Sequence, residues 1–105
     1  MKALLLAIVA ASSMLVAAQA NAGDESALAQ KSGCLACHSV DKKVLGPAYK
    51  DVAAKYKGDK SAEAKLVAKV KAGGSGVWGP MPMPPMGAQV KEAYITKIVQ
   101  WILSL

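Results

Sequence analysis

Cys34-Leu35-Ala36-Cys37-His38 sets two thiols and an imidazole side by side, and this spacing is that of a covalent attachment site for a c-type haem. Thiols at this separation can add to the two vinyl groups of one porphyrin. The histidine that follows the second thiol is then placed to ligate the iron from one face. Cys34, Cys37 and His38 are therefore candidate cofactor-binding residues, with His38 as a metal ligand.

Two other chemistries use a C-x-x-C pair. A structural zinc site needs about four nitrogen or sulfur ligands, and beyond Cys34, Cys37 and His38 the chain has no further cysteine or histidine. A thioredoxin-like dithiol calls for strands alternating with helices, and the chain shows no strand pattern. Both readings are weaker than haem attachment.

Upstream, Met1-Lys2 leads into an apolar run from Ala3 to Ala18, broken only by Ser12 and Ser13, and Ala20-Asn21-Ala22 is a small-x-small cleavage sequence. This reads as a secretory signal peptide over residues 1–22. The run falls short of the ~20 apolar residues of a spanning helix and no basic stop-transfer run follows, so no membrane insertion is expected after its removal. The expected mature domain is 23–105, exported to a bacterial periplasm. In an oxidising compartment two cysteines would ordinarily pair, so this pair must stay reduced until haem is attached.

The chain has no arginine and no phenylalanine. Taking Lys2 from the 13 basic residues leaves 12 lysines against 7 acids, formally +5. Such a surface favours an acidic partner. Nucleic acid is excluded as a partner by the compartment and by the lack of an arginine for bidentate base contacts. A domain this small buries only ~60% or slightly more of its unfolded surface, and a buried haem would complete its core.

Along the mature chain, Asp24 to Ser32 has acids in its first turn, Lys31 in its last and Gly33 as a stop, which predicts a short helix running into the haem motif. Ser39 to Leu45 is polar and reads as loop. Pro47 suits the first position of a helix through Tyr56, and Gly58 its stop. Asp59 or Ser61 can cap a third helix ending at Gly73. Tyr49, Val52, Tyr56, Leu66 and Val70 then fall on inward stripes. Gly73 to Met86, with four prolines, cannot be helical and is expected to be irregular. Val90 to Leu105 carries apolar residues at 94, 95, 98, 99, 102 and 105, a helical stripe, though without a Ser, Thr or Asp cap.

The CxxCH motif after a short helix, Gly46-Pro47-Ala48-Tyr49, the run Gly76-Val77-Trp78-Gly79-Pro80 leading to Pro82-Met83-Pro84-Pro85, and a terminal helix bearing Trp101 together resemble the small bacterial class I cytochromes c. The likeness covers essentially the whole mature chain. Within that class it is most similar to the short monohaem type that carries electrons to nitrite reductase or a terminal oxidase in the periplasm. The resemblance implies an all-α fold of about four to five short helices wrapped around one covalently bound haem c. It implies thioether links at Cys34 and Cys37, His38 as proximal ligand and Met83 as distal ligand. It also implies a Pro47 carbonyl that orients the His38 ring and a Trp78 indole N–H donated to a propionate. Lys69 stands where relatives often use an arginine near the propionates. Met86-Gly87-Ala88-Gln89 stands where they often place an asparagine and a helix cap. The partners implied are redox proteins with acidic docking surfaces, namely nitrite reductase, a terminal oxidase or a small copper protein, met by a monomer.

Elimination bears on the distal ligand independently. His38 is the only histidine, and with both thiols consumed a methionine or a deprotonated lysine remains. Lysine, with a reference pKa of ~10.4, competes poorly at neutral pH with a thioether that has no proton to lose. Spacing does not choose among Met81, Met83 and Met86, because an extended run repeats every ~3 residues. Met83 has prolines on both sides, Pro82 and Pro84, which lowers the entropy lost in holding its sulfur. Met81, between Pro80 and Pro82, shares this and Met86 does not, so the choice of Met83 over Met81 comes from the resemblance. With both iron faces occupied, the expected function is a one-electron carrier and not an enzyme. The competing reading is a small peroxidase or gas-binding haem protein with a labile methionine, but no second histidine or arginine is present for distal acid–base work.

Overall fold

Four helices and one hairpin follow one another along residues 23–105, the part of the chain that the computed structural model describes. The signal peptide read from residues 1–22 lies outside the described residues. The first helix, α1 (Ser26–Lys31), begins where the Asp24 carboxylate accepts the Ser26 N–H at 2.9 Å. It ends at a Ser32 N–H that turns back to the Leu28 carbonyl, and a short 3₁₀ turn, Cys34–Ala36, follows at once.

Helix α2 (Tyr49–Lys55) starts two residues later than the proline suggested. Pro47 lies ahead of the helix and Ala48 is extended, with φ −60° and ψ 141°. The physical reason is that the first N–H groups of α2 find acceptors outside the helix: Tyr49 donates to the Ser39 carbonyl at 2.9 Å and Lys50 to the Val40 carbonyl at 3.1 Å. The loop after the haem motif thus does the work of a cap. Helix α3 (Ala62–Ala72) is started by Asp59, whose Oδ1 accepts both the Ser61 N–H (2.9 Å) and the Ser61 hydroxyl (2.6 Å). Helix α4 (Glu92–Leu103) has no side-chain cap, as the sequence indicated.

Helix α4 is the centre of the packing and lies against α1, α2 and α3. Ile98, Trp101 and Ile102 face Tyr49, Val52 and Ala29, with Leu28, Cys34, Leu35, Val40, Tyr56 and Leu66 closing the edge of this cluster. Ile95 and Val99 face a second cluster with Val90, flanked by Leu66, Val67, Val70 and Met86. Leu66 belongs to both and joins them. Tyr94 and Leu105, at the two ends of the expected stripe, stay exposed, while Trp101, one position off it, is buried against Tyr49. The inward stripe is shifted because α4 serves two core clusters at once.

The segment expected to be irregular contains an antiparallel hairpin, β1 (Gly74–Gly76) and β2 (Gly79–Met83). Gly76 pairs with Gly79 and Gly74 with Met83, and the ladder is bulged between these pairs. Pro80 and Pro82 fall inside the bulged span, where a missing N–H breaks no regular ladder bond. Glycine and proline composition hid the pairing.

Candidate functional site

The site is built on the turn that carries the thiols. A 3₁₀ turn aligns residues i and i+3, so Cys34 and Cys37 are brought to the same side of it. The Cys34 carbonyl accepts N–H groups from both Cys37 (3.2 Å) and His38 (3.1 Å), which fixes the thiols and the imidazole as one unit. Both cysteines are unpaired and partly buried. Burial pushes the Cys34 thiol up in pKa, which disfavours the thiolate that disulfide exchange requires.

His38 is held on three sides. Its Nδ1 lies 2.8 Å from the Pro47 carbonyl, and because a carbonyl only accepts, Nδ1 carries the proton and Nε2 keeps its lone pair for a metal. The Tyr49 ring stacks on the imidazole, centroids 5.0 Å apart and planes inclined by 21°. On another side the Gly46 backbone approaches so closely that a Cβ there would stand 2.8 Å from Nδ1 and 2.9 Å from Nε2. Gly46 is a positioning residue whose contact with the imidazole nothing in its local sequence, a loop end within the Gly46-Pro47-Ala48-Tyr49 run, indicated.

Tyr49 links the turn to the core. It is buried, stacks on His38, meets Trp101 edge-on at 5.7 Å and 82°, and its hydroxyl lies beside the Cys34 thiol. Burial first, then the neighbouring sulfur, pushes the Tyr49 hydroxyl far above its ordinary pKa. It remains a neutral donor at any physiological pH.

The hairpin carries the candidate distal ligand. Met81 is exposed, Met83 is partly buried at the end of β2, and Met86 packs into the second core cluster. Met86 is further committed by its backbone, whose N–H donates to the Val70 carbonyl and whose carbonyl accepts from Val90. Gly73 sits against this chain with φ +69°, and a Cβ on it would lie 2.5 Å from the Met83 carbonyl oxygen and 2.7 Å from the Pro85 nitrogen. Trp78 stands at the hairpin tip, 42% exposed. Lys69, in the last turn of α3, brings its Nζ to 3.1 Å from where a Cβ on Gly74 would be. The structure thus groups Cys34, Cys37, His38 and Pro47 at one locus and places Lys69, Trp78 and Met83 on or beside the hairpin.

The donor chemistry fits an iron porphyrin better than a bare ion. Among the described residues no cluster of three or more histidine, cysteine or acidic side chains could hold a metal, whereas two reduced thiols beside an imidazole of fixed tautomer match a macrocycle that brings its own four nitrogens. No described helix is long and apolar enough to cross a membrane.

Helices around a CxxCH turn, with a proline carbonyl on the histidine, define a class I c-type haem protein. The chain belongs to the cytochrome c family, whose model matches residues 23–105, and members of this electron-transport family bind covalently attached haem c with its iron. It is 63% identical over 78 residues to cytochrome c-551 of Allochromatium vinosum, a match spanning 74% of this chain and 82% of that protein. It is 48% identical over 105 residues to cytochrome c-552 of Nitrosomonas europaea, spanning 100% and 99%. The crystal structure of wild-type Nitrosomonas europaea cytochrome c552 superposes with a TM-score of 0.72 at 49% identity, covering 75% of this chain and 96% of that one.

Proposed function

We propose that this chain is a periplasmic one-electron carrier, with Cys34 and Cys37 as thioether links, His38 and Met83 as axial ligands, and no enzymatic activity of its own. The observation that carries this reading is the 2.8 Å bond from His38 Nδ1 to the Pro47 carbonyl, which leaves Nε2 as the donor and keeps the ring from rotating. Bound haem supplies a one-electron couple at iron. The protein's part is placement: Pro47, Gly46 and Tyr49 immobilise the imidazole, while Gly73 permits the close approach of the chain around Met83 and the prolines beside Met83 stiffen it. A site that moves little between oxidation states suits a carrier.

Met83 is favoured over Met86 because Met86 is already packed in the core, and over Met81 because Met81 is 58% exposed. In this reading Trp78 and Lys69 serve the propionates. The lysine surface steers encounter with acidic redox partners, nitrite reductase, a terminal oxidase or a small copper protein among them. Such steering weakens with salt, since exposed charges are screened beyond ~10 Å at 0.1 M.

The test is an alkaline pyridine haemochrome spectrum and a redox titration of protein purified from a strain competent in cytochrome maturation. One haem per chain with a reversible one-electron couple is expected. Absence of haem, or fast saturable turnover of peroxide by the native protein, would overturn the proposal.

A further inference from the structure

The hairpin that carries Met83 is well fixed at its base and sparsely held at its tip. At the base, Gly73 is wedged against the Met83 carbonyl, and the chain beyond β2 is tied to α3 by Met86 N–H to Val70 carbonyl (2.9 Å) and Gly87 N–H to Lys71 carbonyl (3.2 Å). Neither strand packs extensively against a helix, and Val77 and Met81 are each more than half exposed. A strand pair of this size has little stability alone.

At the tip, a side chain from α2 bridges the gap. Lys55 places its Nζ over the face of Trp78, 5.6 Å from the ring centroid, and 6.0 Å from the centroid of Tyr56. Both distances are within cation–π range. Among the described residues Lys55 forms no ion pair with a carboxylate, so its charge is directed at the rings and not at a competing acid.

We propose that Lys55, seated over the indole of Trp78, is a positioning residue that latches the tip of the Met83 hairpin to α2 and so sets how readily the Met83 sulfur leaves the iron. The inference rests on Met83 being the distal ligand. An electrostatic contact to the ring face requires the cation and the ring together, and the length of the lysine stem alone does not supply it. An arginine at position 55 keeps the cation and stacks on indole, whereas methionine keeps the apolar stem and removes the charge.

The experiment uses the ferric holoprotein and imidazole as the entering ligand, with the limiting rate at saturating imidazole reporting departure of the methionine. Lys55→Met is expected to raise that rate about two- to fivefold, the factor corresponding to a cation–π contact at an exposed site. Lys55→Arg is expected to keep the wild-type rate. In a Trp78→Leu background, which has no ring face at position 78, Lys55→Met is expected to add nothing. A wild-type rate in Lys55→Met, an equal acceleration by Lys55→Arg, or a full Lys55→Met effect in the Trp78→Leu background would overturn the latch. Failure of the underlying ligand reading is separately visible: the ferric wild-type protein would then lack the weak near-infrared-edge band of methionine-ligated haem before any imidazole is added.

Discussion

The carbonyl of Pro47 and Nδ1 of His38 are 2.8 Å apart, so a residue just ahead of α2 dictates both the proton position and the rotation of the imidazole in the haem motif. Gly46, its neighbour, permits that approach because it has no side chain. Gly46→Ala is expected to push the ring or the loop aside and to destabilise the holoprotein by about 1–3 kcal/mol, the usual cost of overpacking. Denaturant unfolding checks this, and an unchanged midpoint would show that the loop yields without cost.

Gly73 makes the corresponding allowance on the hairpin side. Its φ of +69° with ψ of −165° belongs to a region open essentially to glycine, and a Cβ would meet backbone atoms of Met83, Pro84 and Pro85. Gly73→Ala should cost about 1–3 kcal/mol in stability from backbone strain alone and weaken the methionine–iron band. A variant with the band at full intensity would contradict the view that Gly73 positions Met83.

Tyr49 joins His38, Cys34 and Trp101. Tyr49→Ala should lose about 3–5 kcal/mol, as large aromatic truncations do, an amount comparable to the whole stability of a small domain. Tyr49→Phe keeps the ring stack and the Trp101 edge contact and loses only the hydroxyl. It should therefore unfold much closer to wild type, and equal losses in the two variants would assign the effect to the hydroxyl instead.

Asp59 contributes to the pH dependence of stability. The side-chain bond from Ser61, then the bond from the Ser61 backbone, holds its carboxyl below the ordinary value of 3.8. A depressed folded-state pKa stabilises the native form above the unfolded value and loses that stabilisation as pH falls through the folded one. Asp59→Ala should accordingly melt below wild type at neutral pH, with the gap narrowing once the pH drops under about 3.8. Melting curves across a range from neutral to strongly acidic pH check the sign, and a gap that widens on acidification would contradict it.

The haem motif, the helical class and the terminal helix were legible because each rests on short-range pattern: a fixed thiol spacing, a 3.6-residue stripe, glycine stops. The hairpin was not, since Pro80 and Pro82 argue against a strand unless the ladder is known to be bulged around them. Nor were Gly46 and Gly73, which read locally as a loop end and a helix stop. Their importance comes from the His38 ring and the Met83 carbonyl brought against them by the fold. The start of α2 was misplaced for a similar reason, because its first donors are satisfied by the backbone carbonyls of Ser39 and Val40, which the fold brings from upstream and no local capping pattern marks. The preference for Met83 over Met86, undecided by spacing, acquires a packing argument only when Met86 is found among Val90, Ile95 and Val99.

The proposed electron carriage rests on Met83 and His38 serving as the two axial donors, and the near-infrared-edge band of the ferric holoprotein tests this most directly. Met83→Ala should abolish the band, lower the potential and open the iron to exogenous ligands, while Met81→Ala and Met86→Ala leave the band in place. Loss of the band in Met86→Ala with retention in Met83→Ala would contradict the assignment.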